Sequence, residues 1–90
     1  MASLNIIGER VKARREARNW TQDHLAAACQ RLGWDISRVT LAKVETGMRR
    51  VGDGEVVVLA AALRCKASDL LDKVPLKLAM KTVRQGQATL

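Results

Sequence analysis

The chain has no phenylalanine and no tyrosine, and its large aromatics are two tryptophans, Trp20 and Trp34. So few rings leave no platform for stacked bases, which ranks RNA low among possible partners. Cysteine is equally sparse. Cys29 and Cys65 stand far apart, without CxxC spacing or companion ligands, which argues against a zinc site and for two small core residues in a reducing compartment. His24 is the single histidine, with no acid or nucleophile arrangement beside it. With no P-loop, no GxGxxG and no metal-ligand cluster, no enzymatic activity, metal or cofactor is expected. No apolar run is long enough to cross a membrane, and "MASLNIIGERVK" carries no apolar core of signal-peptide length, so a cytoplasmic location is expected.

What is present is a single small domain's worth of chain, 90 residues, able to bury one economical core. It is 48% hydrophobic and dominated by Ala, Leu, Arg and Val, a composition of packed helices. Sixteen Lys and Arg stand against nine Asp and Glu, for a net charge of +7, which points to a polyanionic partner.

Apolar residues Leu4, Ile7, Val11 and Ala17 recur at helical spacing through Arg18, closed by Asn19, which tolerates a left-handed backbone. Thr21 then caps a second helix from Gln22, with Leu25, Ala26, Cys29 and Leu32 as its buried stripe and Gly33 as its stop. Ser37 caps a short third helix in which Leu41 and Val44 face inward and Gly47 terminates. Asp53 caps a fourth, with Val56, Leu59, Ala60 and Leu63 inward, and Ser68 caps a fifth through Leu70 and Leu71. From Lys73 the pattern fits both periods. Val74, Leu76, Leu78 and Met80 alternate as in a strand, Leu76, Ala79, Met80 and Val83 repeat as in a helix, and the helix formers of "LKLAMK" tip the balance to helix, with "RQGQATL" frayed.

Two stretches, "IGERVKARREARNWTQDHLAAACQ" and "ISRVTLAKVETGMRR", together with the "AAL" of helix four, resemble the Cro and phage-repressor family of helix-turn-helix proteins, the XRE-type regulators. The resemblance spans roughly residues 6 to 72. It implies a compact all-α, five-helix, lambda-repressor-like DNA-binding domain over residues 4–72, with residues 73–90 as a tail and possible dimerisation segment. Since Leu41 and Val44 fix the inner face of the third helix, Arg38, Val39, Ala42 and Lys43 face outward. That is the face a recognition helix offers to base edges, Arg38 suiting guanine and Val39 and Ala42 a thymine methyl. Gln22, Thr40, Arg49 and Arg50 are the expected phosphate contacts. Arg15 and Glu45 match the places where the family pairs helix one with the end of the recognition helix. The implied partners are double-stranded DNA and a second copy, whose surface would draw on Leu70, Leu71, Leu76 and Met80. The implied location is then the nucleoid.

There are departures. From Gln22 to Glu45 the chain runs about one to one and a half helical turns longer than the usual motif, with the excess in "ACQRLGWD". This predicts a longer second helix and turn, with Gly33 reversing the chain and Trp34 and Ile36 folding back as a satellite core, away from DNA. An exposed Trp34 would instead serve base stacking or a protein partner. Arg14 stands where the family has an apolar residue and Arg64 where it has glycine. The competing reading is a protein-interaction module, such as the antitoxin of a toxin–antitoxin pair.

Overall fold

The computed structural model describes residues 3–87. It is all-helical over those residues: α1 (Gly8–Ala17), α2 (Gln22–Arg31), α3 (Arg38–Glu45), α4 (Asp53–Ala62), α5 (Ala67–Leu71) and α6 (Leu76–Gln87). The helices number six and not five, because the ambiguous tail resolves into α6. The helix continues through Gln87 where fraying from Arg84 was expected, and the rest of that expectation, residues 88–90, lies outside the described residues.

One core joins the elements. Val11 of α1, Leu25 of α2, Leu41 and Val44 of α3, Leu59 of α4 and Leu70 of α5 are all fully buried in it. α3 packs against both α1 and α2, α2 also meets α4, and α4 meets α5. Ile36 belongs to this same cluster and Trp34 packs against its edge, so the two residues form no separate satellite. The turn brings Ile36 back into the core, and Gln30 Nε2 of α2 donates to the Ile36 carbonyl at 2.8 Å. Leu70 is likewise a core residue and not part of a surplus apolar face.

The helix ends follow local chemistry. Asn5 Oδ1 accepts from the N–H groups of Ile7 and Gly8 at 3.1 and 2.7 Å, so α1 starts at Gly8 and not at Leu4. It closes at Asn19, left-handed with φ +58°. The hydroxyls of Thr21 and Ser37 each accept from the amide three residues on, those of His24 and Thr40, both at 3.1 Å. These bonds fix the starts of α2 and α3. α2 ends one residue early: Leu32 lies past it, 55% exposed, because the reversal at Gly33 (φ +102°) swings it out of the stripe.

At the starts of α4 and α5 the expected caps sit inside the helix. Glu55 reaches back to the Gly52 N–H at 3.0 Å and Asp69 to the Lys66 N–H at 2.8 Å, so carboxylates three residues into the turn replace Asp53 and Ser68 in that role. Arg64 follows α4 with φ +58°. A left-handed closure there is a place that favours glycine, and arginine fills it against its steric preference. Arg14 stays exposed and its guanidinium lies 3.9 Å from Asp69 of α5.

Candidate nucleic-acid interface

α3 is buried on one side and open on the other. Leu41 and Val44 have no exposure, whereas Arg38, Val39 and Lys43 are exposed, Val39 at 57%, and Thr40 and Ala42 are half-buried at the flank. An apolar β-branched residue held open beside two cations is a surface suited to more than solvation. The Ser37 hydroxyl donates to Thr40 Oγ1 at 3.1 Å, so the first turn of α3 is tied at both amide and side chain.

The start of α2 opens beside this face. Arg38 Nε lies 3.7 Å from Asp23 Oδ1, with both side chains more than half exposed. Such a pair is worth about 0–1 kcal/mol, so it leaves Arg38 free to exchange its partner. Next to it the His24 ring stacks on Trp20, centroids 4.4 Å apart and 8° from parallel, with the Arg18 guanidinium 5.2 Å from the Trp20 ring.

Behind the open face lies a buried brace. Arg15 of α1 holds Glu45 of α3 through Nε to Oε2 at 2.7 Å and Nη2 to Oε1 at 3.0 Å. Its Nη1 donates to the Trp20 carbonyl at 2.7 Å, and Gln22 Nε2 donates to Glu45 Oε1 at 3.0 Å. Arg15 and Glu45 are 8% and 4% exposed. The bond to Glu45 raises the Arg15 pKa further above its ordinary value, against the opposing effect of burial. One amide N–H of Gln22 is thereby turned inward to Glu45, and the brace locks the first residue of α2 to the last of α3.

A helix-turn-helix domain model matches residues 6–73. The chain belongs to that helix-turn-helix family. No curated protein and no solved structure matches it. The motif of this helix-turn-helix domain is α2 and α3, and residues 32–37 form its joint, longer than the usual three or four residues. The excess does not disturb the motif, because Trp34 N–H returns to the Cys29 carbonyl at 3.1 Å and Ile36 re-enters the core.

The loop after α3 divides its two arginines. Arg49 is clamped by Glu55, Nη1 to Oε1 at 2.9 Å and Nη2 to Oε2 at 3.0 Å, and Nη1 also donates to the Arg50 carbonyl at 2.9 Å. The pairing raises the Arg49 pKa and holds the Glu55 carboxyl below the usual range, helped by the Gly52 N–H. Arg50 is exposed, with no carboxylate within 4.0 Å among the described residues. Met48, 60% exposed, joins the same loop and carried no signal in the sequence beyond its neighbours. Asn5, buried against α3 and this loop, was also missed. Its one clue is a lone amide in the apolar run "LNII".

Proposed function

We propose that this helix-turn-helix domain is a sequence-specific transcriptional regulator of the XRE type, a repressor that acts on the nucleoid in the cytoplasm. It lays α3 in the major groove, with Arg38, Val39, Ala42 and Lys43 against base edges. Thr40, the start of α2 at Gln22, and Arg50 then meet phosphates, with Arg49 contributing less while Glu55 holds it. The observation that carries the reading is the open face of α3, apolar and basic together, on a helix whose other side is fully buried. The net charge of +7 supports the same polyanionic partner. Binding as a homodimer, with Leu71, Leu76 and Met80 at the contact, would place two recognition helices on half-sites about one helical turn apart.

Selection of bound duplexes from a random pool, then titration of the winner and a scrambled control at two salt concentrations, tests this. A palindromic winner preferred by about a thousandfold or more is the expected result. Equal, salt-dependent binding to every duplex would remove sequence reading from the protein. A second reading, the antitoxin or partner-binding module, is favoured by one observation: Leu76, Leu78, Met80 and Val83 of α6 are exposed at 77%, 41%, 39% and 49%. Neutralisation of a co-expressed neighbour's toxicity, lost when Leu76 and Met80 are made polar, would support it.

A further inference from the structure

Only an amide side chain can donate twice from one atom and accept from the other, and Asn5 uses both ends fully. Its Oδ1 accepts from the N–H groups of Ile7 and Gly8, capping the start of α1. Its Nδ2 donates to the Val44 carbonyl in the last turn of α3 and to the Arg49 carbonyl in the basic loop, both at 2.9 Å. The residue is 7% exposed, and its bonds to Val44 and Arg49 bridge 39 and 44 positions of the chain. Neighbouring contacts point the same way. Leu4 N–H donates to the Gly47 carbonyl at 2.8 Å, and a methyl group on Gly8 would collide with the Val44 carbonyl and lie 2.8 Å from that of Glu45. The segment ahead of α1 is therefore pressed directly onto the C-terminal end of α3.

We infer that Asn5 is a positioning residue for sequence reading: its amide fixes the C-terminal end of the recognition helix and the following basic loop against the start of α1, setting the angle at which both meet DNA. α3 is then held at its end twice, by the Arg15 brace through a side chain and by Asn5 through the backbone. The inference rests on the DNA-reading function proposed above. Aspartate in this place keeps the acceptor that starts α1 but turns the two donor bonds into oxygen–oxygen repulsions. Serine keeps a small neutral polar group without the second donor.

The test uses the full chain, the preferred duplex from the random-pool selection and its scrambled control, with helicity and thermal midpoint recorded for each variant. Asn5→Asp should weaken binding to the preferred duplex by about tenfold or more, the loss of two buried hydrogen bonds. It should weaken the scrambled duplex distinctly less, so that the ratio between them falls. Asn5→Ser, which adds no negative charge, should lower the same ratio, and it decides the matter if the aspartate variant fails to fold. An unchanged ratio in a variant with wild-type helicity would overturn the inference and leave Asn5 a cap for α1 alone. A wild-type protein that prefers no duplex would overturn the DNA-reading function itself, and the positioning role with it.

Discussion

Two arginine–glutamate pairs flank the C-terminal end of α3 and do opposite things with the same chemistry. Arg15–Glu45 joins elements 30 residues apart and is sealed, its side chains 10% and 1% exposed. Arg49–Glu55 joins residues six positions apart, from the loop after α3 to the first turn of α4, at 33% and 29% side-chain exposure. Burial makes the first a brace, in which each charge depends on the other because neither can return to water. Partial exposure makes the second a clamp that adds little stability but withdraws a cation from the surface. How far an arginine near α3 is withheld from the surface is thus set by the carboxylate behind it and how much water reaches the pair.

The largest consequence concerns the brace. Arg15→Ala or Glu45→Ala alone should cost about 3–5 kcal/mol, by leaving an uncompensated buried charge, while the apolar double variant Arg15→Met with Glu45→Leu should cost much less. Urea unfolding measures all three, and single and double variants of equal stability would place the pair in water after all. The exposed pair of Arg38 with Asp23 supplies the contrast in function. Arg38→Ala should leave stability within about 0.5 kcal/mol and lower discrimination at one base position by about 1–3 kcal/mol. Equal weakening on every sequence would make Arg38 a phosphate contact.

The clamp should register in acid. A carboxyl held below its ordinary pKa contributes stability that is present above the unfolded-state value, about 4.3 for glutamate, and is lost as the pH falls through the lower folded value. The Glu55 pKa is lowered, chiefly by Arg49. Wild-type protein should therefore exceed Glu55→Gln in thermal midpoint by a few degrees, about 0.5–1 kcal/mol, at neutral pH. The gap should close as the pH drops below about 4, and a gap constant down to pH 2 would mean that the ionised form is not what matters. The smallest effect separates the two loop arginines. Arg50→Ala should reduce the salt slope of DNA binding by about one phosphate contact, Arg49→Ala by clearly less. Equal slopes would show that Glu55 releases Arg49 when DNA arrives.

Where a side chain acts on its own neighbours in sequence, the fold was legible. Thr21 and Ser37 cap with their own hydroxyls, and most of the inward stripes of α2 and α3 repeat at helical spacing, so the starts of both helices of the motif could be placed. Glu55 and Asp69 cap from inside the helix onto a preceding backbone amide, which leaves Gly52 and Lys66 without any signature at the cap itself. Leu4 fits the period of α1 but is excluded by a side-chain bond one residue later, and Leu32 fits that of α2 but follows its last turn. The outward face of α3 could be named because its inner face could. The directions taken by Gln22 and Asn5 could not, because their partners lie 23 and 39 to 44 positions away, and only the packing of α3 on α1 and α2 brings them within reach.

Cys29 sits at the centre of the core with no exposure, and burial pushes its thiol pKa up. A thiol so placed is a clock for the opening of the domain. It reacts with an alkylating reagent only in molecules whose α2 has come away, whereas half-buried Cys65 keeps a separate and earlier time. Labelling with and without the preferred duplex would read the coupling between DNA occupancy and core integrity directly, with no substitution anywhere in the chain.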